Sequence, residues 1–235
     1  MKTIAWFSTG VSSAVAIKTA IDTIDEIIYI DIKDQHPDSK RFTAECEEWF
    51  GKPITIITNE KSVGEICTKQ KYINGVAGAP CTSNLKFKVR KKWEKEQEDL
   101  NLTYIWGMDS TESKRADRLK SLMYEYNHVF PLIENEINKE LAHKILRASG
   151  ISRPKMYDLG YQNNNCIGCV KGGMGYWNKI RVDFPKVFEQ RAKMEREIGA
   201  SCINGVYLDE LDPSRGRHES PVVEDCGIFC QLLEI

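Results

Sequence analysis

The sequence predicts an α/β protein: an open, mainly parallel sheet of about five strands with helices on both faces, plus a cysteine-rich C-terminal lobe. Three observations lead there. Over residues 1–150, short β-prone runs alternate with helix-length amphipathic stretches. Several runs end in polar or glycine-containing turns. Past residue 150, glycine, asparagine and paired cysteines replace that alternation. Strands alternating with helices at this spacing argue for a parallel sheet. The expected organisation is a core over residues 1–150 and a lobe over 151–235, packed as one structural unit without linker or internal repeat.

The first run, Thr3–Phe7, stops at Ser8-Thr9-Gly10-Val11-Ser12-Ser13, and helix-prone residues follow from Ala14 to Ala20. Glu26–Ile32 reads as a buried, β-branched strand running into Asp31, Lys33, Asp34, Gln35, His36 and Pro37. Asp38–Phe50 is an amphipathic helix with Phe42, Cys46, Trp49 and Phe50 inward and Gly51 as its stop. Pro53–Thr58 is a third strand. The loop Gly75–Thr82 leads to a basic helix with Lys86, Lys88, Arg90, Lys91 and Lys92, whose ordinary reading is a solvated face. Thr103–Gly107 is a fourth strand, followed by the polar segment Met108–Arg118, and His128–Ile133 is a fifth. Asn138–Ser149 is a helix closed by Gly150, with Pro154 beyond it. In the lobe, Asp183–Gly199 is a single helix with Phe184, Val187, Phe188, Ala192 and Met194 as its apolar positions.

Composition removes several classes of function. The formal net charge of −1 argues against nucleic-acid binding driven by bulk charge. No apolar run approaches the ~20 residues of a membrane span, and no secretory h-region is seen, so the expected address is the cytoplasm. Eight cysteines are many for a reducing compartment, where clustered thiols mean metal or redox chemistry more often than disulfides. The oligomeric state, homo-oligomer included, stays open.

Ligands of open α/β sheets sit outside the C-terminal strand ends. Ser8–Ser13, Asp31–His36 and Asp109–Arg118 therefore fall on one rim. A strand, a small-residue loop and a helix start aim N–H groups and hydroxyls at an anion, and Gly10 lacks a Cβ at the expected tightest point. The plainer alternative is a serine-capped helix.

The loop resembles the PP-loop of the adenine-nucleotide alpha-hydrolase superfamily, Ser-Gly-Gly-x-Asp-Ser, with Thr9 for the first glycine and Ser12 for the aspartate. The order of segments over nearly the whole chain is similar to the phosphoadenylyl-sulfate (PAPS) and adenylyl-sulfate reductases. Tyr29-Ile30-Asp31 through Pro37 stands where that family's strand ends in Asp-Thr-Gly. Ala79-Pro80-Cys81, running into Lys88-Val89, resembles its Cys-Cys segment, and Gly107 to Arg115 stands at its arginine-rich loop. Tyr157-Asp158-x-Gly160-Tyr161 echoes Trp-Asp-x-Gly-Tyr, and Cys166-x-x-Cys169 with Trp177 resembles the cluster-binding pair. Asp225-Cys226-Gly227 resembles the terminal Glu-Cys-Gly. A single cysteine at 81, Met108-Asp109-Ser110 in place of paired arginines, and the extra Cys230 depart from the pattern and resemble phage- and mobile-element-type members.

From spacing, Cys166, Cys169, Cys226 and Cys230 form a chelating quartet for Zn²⁺ or a [4Fe–4S] cluster, which spacing cannot separate. The resemblance implies instead Cys81, Cys166, Cys169 and one tail cysteine, the cluster being favoured. Cys46 and Cys67 read as buried, inert thiols, and Cys202 stands alone.

The resemblance implies a sulfonucleotide reductase. Cys226 would attack the sulfur of an adenylyl sulfate, with Cys81 and Arg115 also catalytic candidates. Ser8, Thr9, Gly10, Val11, Ser12, Ser13, Asp31, Lys88, Gly107 and Arg115 would hold the nucleotide, and a thioredoxin-type reductant would release sulfite. The alternatives are an ATP pyrophosphatase for RNA or DNA sulfur modification, with Mg²⁺ on Asp31 or Asp109, and a non-catalytic adenine-nucleotide-binding protein.

Overall fold

The computed structural model describes residues 2–76, 78–97 and 101–217. Its elements run β1 Lys2–Phe7, α1 Val11–Thr19, β2 Glu26–Ile32, α2 Asp38–Phe50, β3 Ile54–Asn59, α3 Val63–Gln70 and α4 Pro80–Thr82. A π-turn over Ser83–Phe87 leads into α5 Lys88–Lys95, then β4 Leu102–Ile105, α6 Ser113–Leu122, β5 Asn127–Val129 and α7 Pro131–Glu134. The remaining helices are α8 Lys139–Ala148, α9 Lys155–Asp158, α10 Met174–Asp183 and α11 Pro185–Ile198. Among the described residues no helix is long and apolar enough to cross a membrane.

The chain divides into two compact units. One comprises residues 1–31, 37–58 and 91–159; the other comprises 32–36, 59–90 and the chain from 160 on. The second unit thus recruits two stretches from within the expected core.

The first unit is built on the sheet, ordered β3-β2-β1-β4-β5. β1 runs parallel to both β2 and β4, and β4 parallel to β5. Alternation along the strands sorts side chains to opposite faces. Ala5, Phe7, Ile27, Tyr29 and Ile105 join the apolar cluster that also takes in Val15 and Ile17 of α1, Phe42 and Cys46 of α2 and Leu146 of α8. On the other face, Trp6 meets Trp93 of α5 edge-on at 5.6 Å.

Two expected elements are corrected. The fifth strand ends at Val129 rather than Ile133, because Pro131 lacks the N–H a strand needs and instead opens the short helix α7. The single helix expected over 183–199 is two: Phe184 leaves the helical region (φ −137°, ψ 61°) and Pro185 starts a new helix.

In the second unit α11 packs on α3 and α10, and α3 on α4. Its organising contact is a buried ion pair. The Asp34 carboxylate accepts from Arg191 Nη2 and from Val63 N (2.7 Å), while the Asp34 carbonyl accepts from Ile167 N (2.8 Å). One residue of the polar cluster after β2 therefore ties together α3, α11 and the loop that bears Cys166 and Cys169.

Candidate functional site

In the first unit the strand order reverses at β1, whose neighbours are β2 and β4. The loops leaving β1 and β4 therefore border the crevice where open sheets bind ligands. Ser8 Oγ donates to Ser13 Oγ (2.9 Å), and Ser13 Oγ donates to the Gly10 carbonyl (2.9 Å), so the two serines close the loop on itself. Gly107, just past β4, lies against it. A Cβ there would stand 2.6 Å from Ser13 Cα, so only glycine permits this approach.

The strained residue is Thr9, not Gly10. Thr9 takes φ +58°, a left-handed backbone that is costly for a β-branched side chain, whereas Gly10 is extended (φ −93°, ψ 157°). The resembled motif has glycine at the Thr9 position, where the backbone calls for it. Helix α1 begins at Val11 instead of Ala14, which places Ser12 and Ser13 in its first turn. The Val11 N–H donates to the buried Tyr157 hydroxyl (3.3 Å), and His143 meets the Tyr157 ring edge-on at 4.8 Å.

Neither Tyr157's contact with the loop nor His143 was foreseen; the tyrosine's place in the Tyr-Asp-x-Gly-Tyr segment was the one available signal. An open cavity of about 370 Å³ is lined by His143 together with Arg147, Arg153 and Asp158. Burial, and then Arg153, Lys139 and Arg147, push His143 down to about 4.

The other candidates of this unit are placed as follows. Asp31 accepts from the Tyr29 hydroxyl (3.3 Å). Asp109 is buried and caps the turn over Ser110–Glu112. Its Oδ1 accepts from Thr111 N (2.9 Å) and Thr111 Oγ1 (2.6 Å), while Glu112 Oε2 accepts from Asp109 N (3.1 Å). Arg115, at the start of α6, is ion-paired with Glu112 at 2.6 Å.

In the second unit a small, mainly apolar cavity is lined by Cys81, Thr82, Lys86, Cys166 and Cys169 among others. Thr82 is 2% exposed and its Oγ1 has no hydrogen-bond partner. The Cys166–Cys169 loop is held from two sides. Tyr176, fully buried, accepts from Cys169 N (2.8 Å) and donates to the Cys166 carbonyl (3.2 Å). Gly168 takes φ +68°, and a Cβ on it would lie 2.6 Å from Val187 Cγ1, so both backbone and packing demand glycine.

Lys88 is exposed and donates to Asn84 Oδ1 (3.0 Å). Cys46 and Cys67 are buried, as expected, and burial pushes the Cys46 thiol up. Cys226 and Cys230 lie outside the described residues. Among the described residues no three His, Cys, Asp or Glu side chains close on a single ion. Three thiols around one apolar cavity are nonetheless a donor set that suits a soft, sulfur-rich group.

No protein-family model matches this chain, and no curated protein sequence does. Among solved structures it is similar to phosphoadenylyl-sulfate (PAPS) reductase from Candida auris, determined as a phosphate complex. That likeness has 12% identity and a TM-score of 0.49, and covers 71% of this chain and 81% of that one.

Proposed function

We propose that this chain is a thiol-dependent sulfonucleotide reductase acting on adenylyl sulfate or its 3′-phosphate. The observation that supports it best is the loop Ser8–Ser13 at the strand-order reversal, braced by Gly107 and opening a helix. Amides and hydroxyls at such a helix start suit the phosphate of an adenylate. Arg115, in the same unit as the loop, is the cation assigned to its charge.

In this reading the Cys226 thiolate attacks the sulfate sulfur. An S–S bond forms, the S–O bond to phosphate breaks, and the nucleotide leaves with the bonding pair as an already stabilised anion. A thiolate of a thioredoxin-type reductant then attacks the Cys226 sulfur and expels sulfite; a second thiol completes the disulfide and supplies the two electrons. Cys81, Cys166 and Cys169 would hold a [4Fe–4S] cluster, which when bound would keep its ligating cysteines deprotonated.

The second reading, an ATP pyrophosphatase needing Mg²⁺ on Asp31 or Asp109, is served less well, because Asp109 Oδ1 is already engaged by Thr111. Anaerobic protein incubated with ATP and Mg²⁺, adenylyl sulfate, or adenylyl sulfate 3′-phosphate separates the readings. Sulfite and an adenine nucleotide are expected with a dithiol reductant. Pyrophosphate would replace this reading with the second, and binding without turnover would leave a nucleotide-binding protein.

A further inference from the structure

Cys202 belongs to none of the assignments above, yet the second unit brings it toward the cysteine cavity. Helix α11 presents Arg191 and Glu195 one turn apart, on one face. Arg191 Nε donates to the Gly168 carbonyl (3.2 Å), inside the Cys166–Cys169 loop. Glu195, fully buried, accepts from Cys202 N (2.5 Å) and from Leu208 N (2.6 Å). A single helix face therefore anchors both the two-cysteine loop and the backbone of Cys202. The Cys202 thiol is buried, and burial together with the Glu195 carboxylate pushes it up, while Arg191 and Cys81 are close enough to act on it. Cys81 itself lines the cavity with Cys166 and Cys169, beside the partnerless Thr82 hydroxyl.

We propose that Cys202 is the fourth thiolate of a metal centre whose other ligands are Cys81, Cys166 and Cys169. The proposal rests on the metal-binding part of the function proposed above and removes an ambiguity in it. With the fourth place filled from the 202 loop, both Cys226 and Cys230 are left as reacting thiols. Cys81, Cys166 and Cys169 line one cavity, and among the described residues no three His, Cys, Asp or Glu side chains close on a bare ion. A metal–sulfur cluster, which has breadth of its own, suits that arrangement better than a single tetrahedral zinc. Loading releases the thiol protons to solvent, and ferrous iron, ferric iron and sulfide come from the medium, two of each iron per four-iron cluster, so that no further oxidant is required.

The test is anaerobic reconstitution with a mixture of ferrous and ferric iron and with sulfide. Iron and acid-labile sulfide are then measured, together with the visible absorption, on the wild type and on Cys81→Ser, Cys202→Ser, Cys226→Ser and Cys230→Ser. The expectation is that Cys81→Ser and Cys202→Ser lose iron about five-fold or more while the two tail variants keep it. Full iron and an unchanged spectrum in Cys202→Ser, with loss in Cys226→Ser or Cys230→Ser, would overturn the proposal. Wild-type protein that takes up no metal would instead defeat the metal-binding reading itself, and zinc uptake dependent on Cys202 would keep the ligand and change the metal.

Because Cys202 is buried, Cys202→Ser also requires a melting curve. Should that variant not fold, alkylation of wild-type protein under mild denaturant decides the matter. Cys202 must gain label when a chelator strips the metal, in step with Cys81, whereas Cys46 serves as the buried thiol that does not respond. Labelling of Cys202 that is indifferent to metal rejects the assignment.

Discussion

The loop at the strand-order reversal and the cysteine cavity are held in place by opposite means. The loop is shaped by backbone: a left-handed Thr9, serines bonded to one another and to a carbonyl, and a glycine pressed against Ser13. The cavity is shaped by buried charge and long side chains, with Asp34, Arg191, Glu195 and Tyr176 each gripping the main chain of another loop or helix. A backbone-built site tolerates changes of surface chemistry but not of Cβ atoms. A charge-built site tolerates some repacking but not the loss of one partner.

The largest expected effect breaks the second mode. Arg191→Ala removes the partner of a buried carboxylate and the donor to Gly168, and should lower stability by about 3 kcal/mol, as for other broken buried pairs. Chemical denaturation measures the loss, and faster alkylation of Cys166 and Cys169 should accompany it. An Arg191→Ala protein as stable as wild type would show that the cavity does not depend on this pair.

Gly107→Ala breaks the first mode. Its Cβ would meet Ser13 backbone, and the shift required should cost roughly 2 kcal/mol, the range of overpacking. Thermal melts and titration with AMP read the two consequences, and AMP binding should weaken. Unaltered AMP affinity would remove this approach from the nucleotide site.

A pH titration sharpens the comparison at Tyr157, whose hydroxyl meets the first amide of α1. His143 sits at about 4 in the folded protein against 6.5 for a free histidine, so the unfolded chain binds more protons between those values. Stability should therefore fall as pH drops from 6.5 toward 4. Allowing for the screening of a half-exposed ring, the loss is about 1 kcal/mol. His143→Gln should flatten that part of the profile, and an unchanged slope would assign it to other groups.

The smallest effect concerns Thr9→Gly. Relief of the left-handed strain, set against a lost buried methyl and the Thr9 hydroxyl bond to the Ser8 carbonyl (2.7 Å), should leave a net gain of up to about 1 kcal/mol. A lower melting temperature would show that the threonine side chain's contacts outweigh the strain.

Much of the fold was legible because it is written locally. Glu26–Ile32 and Asp38–Phe50 are bounded as their apolar patterns and Gly51 indicate, and Asn138 and Ser149 cap the helix they were expected to end. Failures came where proline chemistry was underweighted: Pro131 opens a helix in an apolar run, and Pro185 restarts one after Phe184. At the sites, the rim loops and the Cys166–Cys169 pair announce themselves by residue type. Asp34 does not, because its partners lie 29 and 157 residues away and nothing in its neighbourhood marks it as a clasp. Tyr157, bonded to an amide 146 residues away, was hidden for the same reason, and Tyr176 because an ordinary aromatic seven residues from Cys169 carries no mark of a main-chain ligand.

The interleaving of the two units has a consequence for biosynthesis. Residues 32–36 and 59–90 leave the ribosome well before the segment from 160 onward that completes their unit. During translation Cys81 therefore emerges well before Cys166, Cys169 and Cys202, while the strands of the other unit, complete at Val129, can already pair. Any metal loading would be a late event, coupled to the arrival of α11, and Cys81 in a nascent chain stalled before residue 160 should react faster with thiol reagents than in the finished protein, where it is partly buried.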